Sequence, residues 1–152
     1  MKRDILFRGK SIESGLWVEG LLHFSHGQGL WAITQSNGWV PSYNNPDEGE
    51  QTIYIEVDPA TVGQFTWLTD KNGTKIFEGD IVKWDDRSKG KYWRVAVVEI
   101  SPDIRFRIVK NNVHELSCEA GKVFNYGNFI YKDTEKDLYV LGNIHDNPEL
   151  LK

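Results

Sequence analysis

The stretch Phe65-Thr66-Trp67-Leu68-Thr69-Asp70-Lys71-Asn72-Gly73-Thr74-Lys75-Ile76-Phe77-Glu78-Gly79-Asp80-Ile81-Val82-Lys83-Trp84 decides the fold class. Phe65 to Leu68 and Lys75 to Phe77 flank Asp70-Lys71-Asn72-Gly73, where Asn-Gly supplies the positive φ angles that a tight hairpin requires. Glu78-Gly79-Asp80 then turns the chain directly into Ile81-Val82-Lys83-Trp84. Strand, turn, strand, turn, strand is an antiparallel β pattern. In the second turn Gly79 takes a conformation that other residues resist, and the Asp80 carboxylate can accept backbone N–H bonds.

Composition extends this reading to the whole chain. Of 152 residues, 31 are Val, Ile or Thr and only 16 are Ala, Leu or Met, while 19 are aromatic. β-Branched and aromatic side chains fit a pleated, half-buried surface, so the expected fold is mainly β, with little helix. Downstream, Tyr92 to Ile100 and Ile104 to Lys110 read as strands around the turn Ser101-Pro102-Asp103. In the second of these, Ile104, Phe106 and Ile108 face one way and Arg105, Arg107 and Val109 the other, giving one buried and one basic face. Leu138 to Ile144 is a last strand, bent near Gly142-Asn143, and Pro148 to Leu151 can form one helical turn. Val113 to Val123 fits a strand or a short helix equally.

Upstream, Ile5 to Arg8 and Leu16 to Phe24 read as strands, with Gly20 marking a bulge. Leu30 to Thr34 follows, then Ser36-Asn37-Gly38 as a turn and Trp39-Val40 as a strand ended by Pro41. Tyr43 to Glu50 has surface-loop composition. Gln51 to Val57 alternates cleanly, with Ile53, Ile55 and Val57 on one face and Thr52, Tyr54 and Glu56 on the other. Asp58-Pro59 is an N-cap followed by Pro at the first helical position, predicting a single helical turn before Gly63. The expected organisation is an N-terminal β subdomain at 1–58, a connecting turn and hairpin at 59–75, and a β-barrel subdomain at 76–152.

Candidate chemistry is sparse. Cys118 is the sole cysteine, which excludes an internal disulfide or a thiolate zinc cluster and favours a cytoplasmic protein. Ile5-Leu6-Phe7 is too short for a signal-peptide core or a membrane span. His23 and His26 lack a third ligand of firm spacing, so no metal site is expected. His114 and Cys118 lack an oriented third partner, and the acids Asp47, Glu48 and Glu50 and Asp85-Asp86 sit in loops, so no catalytic set is expected. Gly27-Gln28-Gly29 lacks the Gly, Lys and helix of a phosphate loop, and no cofactor is expected. The expectation is a protein that is not an enzyme.

Net charge is −4, with six basic and nine acidic residues in 1–75 and twelve and thirteen in 76–152. Bulk charge therefore does not attract nucleic acid. Locally, however, eight basic residues against four acidic ones lie between Lys83 and Lys110. Trp84, Tyr92 and Trp93 could stack on bases while Lys91, Arg94, Arg105 and Arg107 neutralise phosphates, as small barrels do with single strands. The same residue types are enriched at protein interfaces. Phe7, Phe65, Phe77, Phe106 and Tyr139 are expected in the core, and Tyr54, Trp67, Tyr92 and Trp93 are placed where some should face outward.

Ile5-Leu6-Phe7-Arg8-Gly9-Lys10, Gly15-Leu16-Trp17-Val18-Glu19-Gly20, Thr61-Val62-Gly63-Gln64-Phe65-Thr66, Asp70-Lys71-Asn72-Gly73, Ile76-Phe77-Glu78-Gly79-Asp80-Ile81-Val82 and Val140-Leu141-Gly142-Asn143-Ile144-His145-Asp146-Asn147-Pro148-Glu149-Leu150 together resemble the YopX family of phage and prophage proteins. The resemblance is collinear and reaches both ends of the chain. It implies a mainly β protein with an SH3-like barrel in the C-terminal half, encoded by a phage or prophage, acting in the bacterial host cytoplasm and forming homo-oligomers; it implies no known reaction. Trp67 departs from the family pattern, and residues 27–51 match none of its motifs. The expected function is a self-associating accessory protein that binds an unknown host or phage protein, with Trp67, Trp84, Tyr92, Trp93, Arg94, Arg105 and Arg107 as the candidate surface. The alternative is a single-stranded nucleic-acid binder using residues 83–110.

Overall fold

A computed structural model describes residues 5–39, 50–85, 92–112, 120–128 and 134–152. The expected loop at Tyr43 to Gly49, His114, Cys118 and Lys91 lie outside these residues. The described chain is mainly β and built of antiparallel sheets. It divides into two compact units, residues 1–64 and 65–152. The boundary falls inside the segment expected to connect two subdomains: the helical turn goes with the first unit and the hairpin with the second.

In the first unit β1 (Phe7–Lys10), β2 (Trp17–Ser25), β3 (Leu30–Trp39) and β4 (Glu50–Glu56) form a meander ordered β4-β3-β2-β1. The first two residues of β5 (Gly63–Thr69) pair with β1, Gly63 opposite Arg8 and Gln64 opposite Phe7. The far end of β4 comes back to the end of β1, where Ser11 bridges Val57, Ile12 N–H donates to the Glu56 carbonyl at 3.0 Å and Asp58 N–H to the Lys10 carbonyl at 2.9 Å. The Asp58 carboxylate accepts from Ala60 N–H at 2.9 Å and caps a 3-10 turn at Pro59–Thr61, as its sequence predicts. Gly20 makes no bulge. A Cβ there would run into the Thr34 carbonyl oxygen, so its role is close approach of β3. Ser36 to Gly38 do not turn the chain; β3 runs straight through them, and the irregularity expressed there is a register shift against β4 between Ser36 and Trp39.

In the second unit β5 pairs with β6 (Lys75–Phe77), and β7 (Asp80–Asp85), β8 (Trp93–Ile100), β9 (Ile104–Asn111), β10 (Val123–Asn125) and β11 (Leu138–Asn143) form a sheet ordered β10-β9-β8-β7-β11. A short α1 (Thr134–Asp137) leads into β11, and a 3-10 turn at Pro148–Leu151 follows it. Among the described residues the sheet is open, so closure into a barrel is not seen.

This sheet buries both faces. On one, Val82, Trp84, Ala96, Val98, Phe106, Ile108 and Leu138 pack with Ile76 of β6 and Leu68 of β5. On the other, Ile81, Val95 and Val97 are covered by Ile144 and Leu150 from the C-terminal segment. The strands read apolar at successive positions, Ile81-Val82 and Val95 to Val98, which is what burial on both sides demands. The Asp70 carboxylate organises the hairpin. Its Oδ1 accepts from Asn72 N–H at 2.8 Å and Thr74 N–H at 2.9 Å, and its Oδ2 accepts from Val140 N–H at 3.0 Å on β11. Lys71 N–H donates to the Leu138 carbonyl at 2.9 Å, so the hairpin tip covers the outer edge of β11. The turn is therefore built around a carboxylate with Gly73 at φ 77°, rather than by two consecutive positive-φ residues at Asn72-Gly73. At the next turn Gly79 has φ 86° and the Asp80 carboxylate accepts from Phe77 N–H at 2.8 Å, as expected.

Candidate functional site

The register divides the residues predicted as one basic, aromatic surface between the two faces of the sheet, Trp84 and Arg94 on one and Trp93, Arg105 and Arg107 on the other. Trp84 is 1% exposed and packs edge-on to Phe106 and Phe124 in the core. It leaves the candidate surface because even-numbered positions of β7 point into the first cluster. Arg94, opposite Trp84, lays its guanidinium 5.9 Å from the Phe124 ring centre. Trp93 lies on the other side, half-buried against Ile81, Val95 and Val97, with Lys83 Nζ 5.3 Å from its ring centre. Tyr92 is half-buried. Arg105 and Arg107 both grip Glu99, at 2.9 and 2.6 Å. Burial alone would raise the Glu99 carboxyl, but hydrogen bonds and charge from Arg107 and Arg105 outweigh it and hold the group below its ordinary value. Three charges therefore sum to one, and the two arginines are committed to an acid rather than presented to phosphates.

Trp67 is exposed, at 40%, and its setting is unusual. Phe65 pairs with Phe77 and Thr69 with Lys75, so Thr66, Trp67 and Leu68 together oppose Ile76 alone. Thr66 braces this bulge: its hydroxyl donates to the Ile76 carbonyl at 2.6 Å and accepts from Leu68 N–H at 3.2 Å, and it is itself buried. At the apex Trp67 has φ 63°, the left-handed region in which a residue with a Cβ costs about 1 kcal/mol or more relative to Gly. Tyr139, expected in the core, is instead exposed on β11, where Lys71 Nζ donates to its hydroxyl at 2.8 Å. The register explains this: Leu138 and Val140 take the inward positions.

More of the exposed large hydrophobic side chains of the described residues lie in the first unit. Among the described residues, Ala32, Ile33 and Val57 are its buried hydrophobic side chains, against twelve in the second unit. Leu21 (57%) and Tyr54 (61%) are exposed on one face of the meander, both in register with Thr34. His23 packs edge-on to Tyr54, ring centres 5.5 Å apart, with Glu56 beside them on the same face; further along that face Glu19 lies opposite Arg8, whose guanidinium sits 4.7 Å from the Trp17 ring centre. Trp31 and Ile53 are exposed on the opposite face, with Trp31 tilted on Phe24 at 4.8 Å. Tyr54 was legible as an outward ring from strand alternation; Leu21 and Trp31 carry no such signal, because their strands have apolar residues on both faces, and Ile53, on the face that alternation marks as apolar, is exposed all the same on the edge strand β4.

No group of three or more His, Cys, Asp or Glu able to hold a metal occurs among the described residues. No helix there is long and apolar enough to cross a membrane. The model of a family described as YopX protein matches residues 7–152. No curated protein matches the chain. Among solved structures, the crystal structure of protein EF1440 from Enterococcus faecalis is similar, with a TM-score of 0.54 and 21% sequence identity, covering 99% of this chain and 100% of that one. At that identity the likeness concerns the fold alone.

Proposed function

The chain belongs to the YopX family, and from that premise we propose a non-enzymatic, self-associating protein-interaction module, encoded by a phage or prophage and acting in the host cytoplasm on a host or phage protein. The observation that carries this reading is the uncovered apolar surface of the first unit, with Leu21 and Tyr54 exposed over a meander that buries few hydrophobic residues. Apolar groups left exposed on a sheet face favour a protein partner over solvent. Nucleic-acid binding through residues 83–110 is the weaker reading, since Arg105 and Arg107 are held by Glu99 and Trp84 is buried. Sedimentation velocity of the purified chain across a concentration series tests the proposal. A mass above that of one chain, rising with concentration, supports it; a single monomeric boundary throughout overturns it.

A further inference from the structure

We propose that Asn72-Gly73, at the tip of the β5–β6 hairpin, is a deamidation site that the closed hairpin holds unreactive, and that its conversion to isoaspartate leaves the outer edge of β11 permanently uncovered. Asn followed by Gly is the pair in which a side-chain amide most readily meets the next backbone nitrogen, because Gly73 has no Cβ to obstruct the approach. The Gly73 nitrogen gives up its proton and bonds to Asn72 Cγ, the Cγ–Nδ2 bond breaks, and ammonia leaves with that proton. Water then opens the cyclic imide. Cleavage between Cγ and the Gly73 nitrogen gives aspartate, whereas cleavage between the Asn72 backbone carbonyl carbon and that nitrogen gives isoaspartate. Ammonia is lost, water is gained, and nothing is oxidised or reduced. Asn72 and Gly73 are both exposed, so the water is at hand.

The closed hairpin withholds the nucleophile. Gly73 N–H donates to the Asp70 carbonyl at 3.0 Å, and Asn72 N–H donates to the Asp70 carboxylate at 2.8 Å. Attack requires the Gly73 proton to leave and the peptide plane between the two residues to rotate, so the turn must open first. Asp70 is buried, its second carboxylate oxygen accepts from Val140 N–H, and Lys71 N–H donates to the Leu138 carbonyl. The opening that frees Gly73 therefore also loosens the cover of β11. Isoaspartate makes the change one-way. Its main chain runs through the former side-chain carbon and is longer by one atom, between the Asn72 and Thr74 N–H groups that Asp70 Oδ1 accepts at 2.8 and 2.9 Å. The two no longer converge on one oxygen, and the Leu138 carbonyl and Val140 N–H are left on an open strand edge, a template for pairing with another chain. The second Asn-Gly pair, Asn37-Gly38, lies within β3 of the first unit and serves as an internal control.

The test incubates the full chain in mildly alkaline buffer, native and in urea, and reads isoaspartate at Asn72 and Asn37 separately by peptide mass spectrometry. Reaction at Asn72 is expected to be at least about tenfold slower in the native chain than in urea. Asp70→Asn weakens the hydrogen-bonded cage and is expected to speed native reaction at Asn72 about tenfold while leaving Asn37 unchanged, which separates local opening from a general loss of stability. Hydrogen exchange of the aged wild-type chain is expected to show lost protection at Val140 N–H and Lys71 N–H. Identically aged Asn72→Gln, whose longer amide closes a ring far more slowly, is expected to keep it. Native reaction at Asn72 that is as fast as in urea, unmoved by Asp70→Asn, or accelerated together with Asn37 overturns the protection by the hairpin. Isoaspartate at Asn72 with Val140 still protected, or protection lost equally in aged Asn72→Gln, overturns the one-way uncovering of β11.

Discussion

The two units solve the same problem in different ways. The second unit takes a five-stranded sheet and covers both faces, one with the hairpin residues Leu68 and Ile76, the other with Ile144 and Leu150. It also covers the outer edge of β11 with the hairpin tip. The first unit has a meander of similar strand content, yet buries Ile33 and Val57 fully while leaving Leu21 and Tyr54 more than half exposed. The difference is not in how apolar the strands are. It lies in what the chain supplies to lie over them: the second unit has two covering segments, whereas among the described residues of the first Leu21 and Tyr54 stay exposed.

The largest expected effect that could break this comparison is in the second unit's core. Phe106→Ala removes a fully buried ring packed on Trp84 and should lower unfolding free energy by about 3–5 kcal/mol in urea titration. A loss below 1 kcal/mol would mean that the face is not the closed core described here.

Next is Asp70→Asn. The amide can still accept from Asn72 and Thr74 but turns an N–H toward the Val140 N–H, costing about 1–2 kcal/mol. Burial raises the Asp70 carboxyl and the hydrogen bonds from Val140, Thr74 and Asn72 lower it, with a net position below the ordinary 3.8. A group depressed on folding contributes stability above its unfolded pKa and loses it as pH falls through the folded value. Wild-type stability should therefore drop below pH 3.8 by an increment that the Asn variant lacks, measured by urea midpoints at stepped pH. Hydrogen exchange at Val140 sharpens the point: protection there should fall in the variant while protection at Val82 persists.

Smaller again is the charge cluster on β8 and β9. Glu99→Gln loosens two half-exposed arginines and should cost less than about 1 kcal/mol, a difference that shrinks in high salt. If instead the variant acquires single-stranded DNA binding in a filter assay, Glu99 is what suppresses the nucleic-acid reading. The smallest expected effect on stability is in the first unit. Leu21→Ser should move the unfolding midpoint by no more than about 0.5 kcal/mol, because an exposed leucine has little to lose on its own.

Much of the fold was legible in the sequence. Strand positions, the Asp58-Pro59 turn, the hairpin at Asp70 to Gly73 and the Gly79-Asp80 turn follow from local rules. What failed did so for tertiary reasons. Ser36-Asn37-Gly38 has turn composition, yet pairing with β4 carries the strand through it. Tyr139 and Trp84 exchange their expected places because each strand is apolar at adjacent positions, so alternation does not say which residue faces the core. Of the four rings placed where some should face outward, Trp67 and Tyr54 are exposed, while Tyr92 and Trp93 are half-buried. The basic stripe was not resolved, because Glu99 reaches Arg105 directly across the ladder and Arg107 two residues further on, a pairing visible only in the register.

The proposed function rests on self-association that covers the Leu21–Tyr54 face in solution. Hydroxyl-radical footprinting of the wild-type chain over a dilution series, read at single residues by mass spectrometry, addresses it directly. The proposal predicts that Leu21 and Tyr54 lose reactivity together as concentration rises, while Val123, exposed on β10, keeps its reactivity. Reactivity at Leu21 and Tyr54 that stays constant while the sedimenting mass increases would contradict it.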